Sequence, residues 1–243
     1  MSNFSKYIDQ IGRKHGRGRA FSDFLTMAVC CLSMQEKEDE YFKAIKPYDK
    51  EELNLFCKAF AEIIMEMDKK PFSDCLGDYY MEYLANKGNG QFFTPPSVCD
   101  LMAQLTPPKP FTAINDPCCG SGRFFLSTAK LEKHNFYYGA DVDYQCCQMA
   151  IINLCLNGLF GFISHMNTLS LKEWHRWEVK PHPKHKINYI HELTINSNYG
   201  SLYDVAVEEI VNTPPRDVVV QDEKSTTKNQ QLNLFLNQID NLL

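Results

Sequence analysis

Phe111-Thr-Ala-Ile-Asn-Asp-Pro-Cys-Cys-Gly-Ser-Gly-Arg-Phe124 is the stretch whose reading decides the fold. The apolar run from Phe111 to Ile114 predicts a buried strand. It ends in an acid, Asp116, followed by a tight turn holding Gly120 and Gly122. Beyond the turn, Phe124, Phe125, Leu126 and Leu131 stand among polar residues and predict an amphipathic helix. Strand, glycine turn and helix make the first unit of a Rossmann-like sheet, in which ligands sit beyond the carboxyl ends of the strands.

Glycine suits such a turn because it adopts backbone angles that other residues resist and lets the main chain approach a ligand closely. The spacing does not fit the three-glycine dinucleotide fingerprint, and the Lys-Ser/Thr pair of a phosphate-binding loop is absent. An acid just ahead of the turn repels a pyrophosphate but suits a cationic ligand. S-adenosylmethionine, with its sulfonium and ammonium groups, is such a ligand. An ordinary strand-helix turn is the plain alternative, and the neighbouring segments decide against it.

Immediately upstream, Gln91-Phe-Phe-Thr-Pro-Pro96 follows a loop, Asn86-Lys-Gly-Asn-Gly90. Paired phenylalanines ahead of proline read, on their own, as a staple fixing the chain's entry into a helix. Ser97 is the expected N-cap. Val98, Leu101, Met102 and Leu105 mark the helix, which Pro107-Pro108 ends. Further back, helical spacing recurs over 21–32, 50–67 and 72–86, which predicts a small helical layer up to Asn86. Residues 1–20 are polar with little pattern, and nothing in the layer suggests catalysis.

Downstream, Asn135-Phe-Tyr-Tyr-Gly-Ala-Asp141 predicts a second strand ending in an acid, nineteen residues beyond Gly122. A nucleoside-binding βαβ unit places there the carboxylate that accepts hydrogen bonds from ribose hydroxyls. Asp143 suits capping of the next helix, 143–157, which buries Cys147, Ile151 and Leu154. A third strand is expected over Phe160 to Ser164, leading to Met166-Asn-Thr-Leu169, where a polar side chain can reach an adenine edge. Residues 171–200 are rich in His, Lys, Pro and Asn. His175, His182, His185 and His191 match no metal-ligand spacing. Leu202 to Val207 and Asp217 to Gln221 predict fourth and fifth strands around a proline loop, Asn212-Thr-Pro-Pro-Arg216. Residues 229–243 predict a closing helix.

Composition bounds the rest. The chain has 243 residues, 44% of them hydrophobic, enough for one α/β domain with an appendage or for two small domains. Ten cysteines lie outside any CxxC spacing, and no signal peptide or membrane-length apolar run is present. Reduced thiols in a cytoplasmic protein are therefore expected. A net charge of −5 argues against a surface that grips nucleic acid everywhere. Two basic runs, Arg13 to Arg19 and Lys180 to Lys186, are either phosphate contacts or, more ordinarily, solvated loops.

Taken together the blocks resemble the adenine-N6 DNA methyltransferases, in particular the modification subunits of type I restriction systems and their plasmid- and phage-borne relatives. Gly90-Gln-Phe-Phe-Thr-Pro95 is similar to the family's GxFFTP block, and Asp116-Pro-Cys-Cys-Gly-Ser-Gly122 to its DPACGSG turn. Gly139-Ala-Asp-Val-Asp143 resembles the block whose acid holds the ribose. Asn167-Thr-Leu169 sits where the family has Asp-Ser/Thr-Leu beside the adenine. The likeness runs from about Leu76 to Leu169.

The resemblance implies a Rossmann-like methyltransferase sheet at 87–243 behind an N-terminal helical region at 1–86, the sheet cut short by the chain's end at Leu243. It implies S-adenosylmethionine held by Phe93, Thr94, Asp116, Gly120, Gly122, Asp141 and Asn167, and no metal. It also implies DNA as a partner, read with a separate specificity or partner subunit, with oligomeric assembly left open. Asn212, Pro214 and Pro215 stand nearest the family's Asn/Asp-Pro-Pro-Phe/Tyr block, whose first residue and a backbone carbonyl accept from the target amine while the ring stacks on the extruded base. Here Thr213 is inserted and Arg216 replaces the ring; the register from Tyr203-Asp-Val205 places the motif's start near Glu209 instead. An arginine plane also stacks on bases. Methyl transfer to adenine in DNA is one reading. Others are an impaired cofactor- or DNA-binding module and methylation of RNA, protein or a small molecule on the same fold.

Overall fold

A computed structural model describes residues 3–34, 36–85, 91–182 and 187–195. Among these residues six helices precede the first strand: α1 (Asn3–His15), α2 (Arg17–Leu32), α3 (Glu38–Ile45), α4 (Lys50–Lys69), α5 (Cys75–Tyr83) and α6 (Pro96–Leu105). Then follow β1 (Ala113–Asp116), α7 (Arg123–Ala129), β2 (Phe136–Asp141), α8 (Tyr144–Leu156), β3 (Phe160–Asn167), β4 (Lys172–Pro181) and β5 (Asn188–Leu193).

The sheet runs in the order β1-β2-β3-β4-β5. Its first three strands are parallel, with α7 and α8 as the crossovers, so the architecture is the expected Rossmann-like α/β unit with an N-terminal helical layer. Parallel register brings the strand ends together: Asp116 lies opposite Gly139, and Asp141 opposite His165. β4 and β5 extend the sheet as antiparallel strands.

Apolar residues set the layers. α8 is buried along its whole described length except its first two residues, because the sheet lies on one side and α2 on the other. The inner faces of α1, α2 and α4 supply Phe4, Ile8, Phe21, Phe24, Phe56 and Phe60, which share one continuous core with Ile151, Ile163 and Ile190. An Asp49–Glu52 capping box opens α4, each side chain accepting the other residue's backbone N–H.

Several expectations need correction. The first strand is Ala113–Asp116 and not Phe111 to Ile114. Phe111 has a positive φ and is exposed, while Thr112 is held outside the ladder by the Asn135 side chain, 3.0 Å from its N–H. Pro95, not Ser97, precedes the first turn of α6, where the missing N–H of Pro96 costs nothing. The apolar residues that mark α6 lie outward: Val98, Leu101, Met102 and Leu105 are exposed, and Cys99 and Ala103 form its buried face.

Helix α1 lies within a stretch that reads as patternless, and α3 and the β4–β5 pair stand where no element is expected. β4 carries a register shift opposite His165 and Met166 that leaves Trp174 as the extra residue. The expected strands Leu202 to Val207 and Asp217 to Gln221, the loop Asn212 to Arg216 and the helix 229–243 lie outside the described residues.

All ten cysteines are free, and Cys118 alone is exposed. Among the described residues no helix is long and apolar enough to cross a membrane. The core makes a direct prediction. Phe60 is fully buried between helices, so Phe60→Ala should lower the unfolding free energy by about 3–5 kcal/mol in urea denaturation. An unchanged midpoint would contradict this packing.

Candidate functional site

The glycine turn sits at the carboxyl end of β1. Gly120 (φ +54°) and Gly122 (φ +79°) are both left-handed, and Gly122 caps α7. At Gly120 the demand is also steric, since a Cβ there would lie 3.2 Å from the Phe93 ring. The turn is tied to β2 by two bonds. Cys119 N–H donates to the Ala140 carbonyl at 2.9 Å, and Gly120 N–H to Asp141 Oδ2 at 2.9 Å. The other Asp141 oxygen accepts from Asp143 N–H at 2.9 Å. Asp143 in turn caps α8, accepting from Gln145 and Cys146 N–H, the role its position suggested.

Two carboxylates therefore face the same mouth, Asp116 at the end of β1 and Asp141 at the end of β2. Burial pushes the Asp116 pKa up, against a hydrogen bond from Cys118 N–H, and the Asp141 charge pushes it further. Burial likewise raises Asp141, opposed by the Asp143 and Gly120 N–H groups. Half-buried acids beside one another are costly, and such groups cluster where a ligand needs them.

Phe93 forms a wall over the turn, with its ring stacked on Tyr80 of α5 at 5.6 Å between centroids. Phe92, by contrast, is exposed, so the pair is not a simple staple. The Tyr80 hydroxyl donates to Gln91 Oε1 at 3.0 Å, and Gln91 Nε2 donates to Asp143 Oδ2 at 3.1 Å. The Thr94 carbonyl accepts from Arg123 Nη1 at 3.4 Å, while the Thr94 residue itself is exposed. Asn167 ends β3, and its Oδ1 accepts from Leu169 and Ser170 N–H, closing the turn into β4.

The structure thus gathers Phe93, Thr94, Asp116, Gly120, Gly122 and Asp141 around one turn. Asn167 stands one strand over, two residues past the partner of Asp141. Asn212, Pro214 and Pro215 lie outside the described residues.

Sequence reading missed what holds this arrangement. Asp74, at the N-cap of α5, is buried and accepts from Gly77 N–H, Asn153 Nδ2, Ser121 Oγ and Arg123 Nε. The expected helix over 72–86 takes in Asp74 as an interior residue, whereas α5 begins at Cys75 and Asp74 is its N-cap. No local signal marks Arg123 as its partner.

The basic run Arg13 to Arg19 falls in α1 and α2 and is largely taken up in ion pairs, most of them at the surface. Lys14 pairs with Asp49 and Glu52, His15 with Glu52, Arg17 with Asp9, and Arg19 with Asp23. His175 and His191 bind Glu192 and Glu36 respectively. His185 lies outside the described residues.

The acids yield a pH prediction. A folded-state pKa above the unfolded value means that folding disfavours the charged form. That cost is present above the folded pKa, fades as pH falls through it, and is gone below the unfolded Asp value of about 3.9. Asp116→Asn, which keeps the oxygen that accepts from Cys118, should therefore melt at a higher temperature than the parent at pH 7. The gain should vanish by about pH 3. A variant less stable at pH 7, or a gain unaffected by pH, would contradict the burial of this charge.

Comparison with known proteins bears on the same region. Residues 72–240 match the family model N-6 DNA Methylase. The methylase subunit of the type I restriction enzyme MpnII from Mycoplasma pneumoniae is 32% identical over 132 residues, 46% of this chain and 24% of that protein. The methylase subunit of the type I restriction enzyme MjaIX from Methanocaldococcus jannaschii is 30% identical over 133 residues, 49% of this chain and 24% of that one. The chain thus spans about a quarter of the length of these curated relatives. A crystal structure of a type I restriction-modification methyltransferase subunit from Streptococcus thermophilus aligns with a TM-score of 0.36 at 20% identity, over 68% of this chain and 39% of that one. The family match covers more than half the chain and takes in the glycine turn, both acids and the Phe93 wall, and on that ground the protein belongs to the N-6 DNA methylase family.

Proposed function

We propose that the chain binds S-adenosylmethionine at the mouth of its sheet and serves methyl transfer to the N6 amine of adenine in DNA. The observation that carries this is the joint placement of Asp116, Asp141 and the Gly120 cradle under Phe93. Two half-buried acids that form no ion pair among the described residues fit a cation and reject a phosphate. When bound, the cofactor supplies an electrophilic methyl group on a sulfonium.

In this reading the chain's own groups have separable tasks. Asp141, oriented by Gly120 and Asp143 N–H, retains lone pairs for ribose hydroxyls. Asp116 favours the positive end of the ligand. Gly120 and Gly122 bring the backbone close, Phe93 and Thr94 wall the pocket, and Asn167 lies toward the adenine edge. Asn212, with Pro214 and Pro215, accepts from the exocyclic amine of a base taken out of the stack. DNA would be held together with a separate partner or specificity subunit. The relatives named above are themselves methylase subunits of restriction enzymes.

Thr213 and Arg216, which interrupt the block around Asn212, favour a second reading: a module that holds the cofactor or DNA without transferring methyl groups. Transfer of labelled methyl groups to mixed-sequence DNA, by the protein alone and with its co-encoded partners, separates the two. Label in adenine supports the enzyme; cofactor binding without label supports the module. In either case Asp141→Ala should weaken cofactor binding by about 1.5–3 kcal/mol, as for loss of a hydrogen bond to a charged group. An unchanged dissociation constant in calorimetry would mean that Asp141 does not face the ligand.

A further inference from the structure

Arg123 makes four contacts that nothing in the proposed reaction requires. Its Nε donates to Asp74 Oδ2 at 2.9 Å and its Nη2 to Asp78 Oδ1 at 2.7 Å. Its Nη1 reaches the Thr94 carbonyl at 3.4 Å, and its guanidinium stands 5.9 Å from the centre of the Phe93 ring. The residue is nearly buried although it is charged. Every one of these partners lies either on α5 or on the segment that walls the glycine turn.

The surroundings leave no slack. Asp74 binds Ser121 Oγ at 2.5 Å, and Asn153 Nδ2 donates both to Asp74 and to the Ser121 carbonyl, each at 2.9 Å. α5 approaches the turn so closely that a Cβ on Gly77 would lie 2.5 Å from Ser121 Oγ. The turn between Ser121 and Arg123 is therefore clamped to α5 and α8. The Phe93–Thr94 wall is attached to that clamp through Arg123 and through the Tyr80 ring, itself on α5.

We propose that Arg123 is a positioning residue, which carries the placement of α5 to the Phe93–Thr94 wall and so sets how tightly the site closes on its ligand. The inference rests on the cofactor-binding reading given above. Its physical basis is the guanidinium fork: three donor nitrogens serve two carboxylates and a carbonyl at fixed angles, which a lysine ammonium on a flexible stem cannot do. The wall's other ties are weaker or lie at its edge: the Thr94 carbonyl also accepts from Cys99 Sγ at 3.7 Å, and the neighbouring Gln91 is bound to Tyr80 and Asp143, while the Phe93 ring itself meets Tyr80, Gly120 and Arg123.

Two readouts on the full chain test this. The first needs no ligand. In NMR of the protein with labelled aromatic rings, Arg123→Lys should weaken the nuclear Overhauser contact between the stacked Phe93 and Tyr80 rings at least twofold while that between Phe4 and Phe24 stays unchanged. The second is calorimetry with S-adenosylhomocysteine. Arg123→Lys should weaken binding at least tenfold in the parent and less than twofold in a Phe93→Ala background, because residues that act through one another are not additive. Should Arg123→Lys fail to fold, Asp78→Asn carries the test, since that carboxylate is 67% exposed and contacts only the outer nitrogen. It should weaken the same ring contact and weaken binding about threefold. An unchanged Phe93–Tyr80 contact, or equal affinity losses with and without Phe93, would overturn the proposal. A parent protein that binds no S-adenosylhomocysteine would instead reject the cofactor reading and leave the ring contact to decide the role of Arg123.

Discussion

A buried carboxylate, Asp74, is the constraint on which the rest of the structure depends. It accepts four hydrogen bonds, one from its own helix, one from α8, and two from the glycine turn. A charge taken out of water is tolerated only when its lone pairs are met and an opposite charge lies beside it, and Arg123 supplies that charge. Removing one partner would strand the other in a low-dielectric interior, which is far costlier than never having built the pair. The helical layer and the sheet are consequently one body at this point, and the geometry of the turn is set by residues well outside it.

From that anchor the mouth of the sheet follows. The turn is held from below by Ser121, Arg123 and Asn153, and from the side by the Ala140 carbonyl and Asp141. The acids that end β1 and β2 beside it are ones that burial makes expensive to ionise. A fold that carries such a cost has not been shaped for stability alone, and sites of function are where it is usually borne. Glycine is favoured at 120 because a methyl group there would press on the Phe93 ring at 3.2 Å and sit on a left-handed backbone.

Much of this was legible in the residues. Gly120 and Gly122, the acids at the ends of two strands, and the cap at Asp143 are local signals, each read within a few positions of chain. The helices at 21–32 and 50–67 were legible from their apolar spacing, and the structure finds them at Arg17–Leu32 and Lys50–Lys69. Helix α1 was not, although Phe4, Ile8 and Ile11 fall on one face, because the charged residues between them dilute the period. In β4 His175, Trp177 and Val179 share one face, an alternation hidden by the polar residues between them, and the His175 and Trp177 rings stack on each other. On α6 the period was right and the face wrong. Spacing reports that one side of a helix is apolar, while what covers it depends on tertiary neighbours. The Asp74–Arg123 clamp joins positions 49 apart, and no local pattern marks such a pair.

A sulfonium nucleoside is the ligand proposed for the mouth formed by Phe93, Asp116, Gly120 and Asp141. Backbone amide shifts of the labelled protein, followed as S-adenosylmethionine is added, test it most directly. The predicted result is that the amides of Phe93, Gly120 and Asp141 move together along one saturating curve while those of α1 and α4 stay still. Amides at the mouth that remain unmoved up to millimolar ligand, or shifts confined to another part of the molecule, would contradict it.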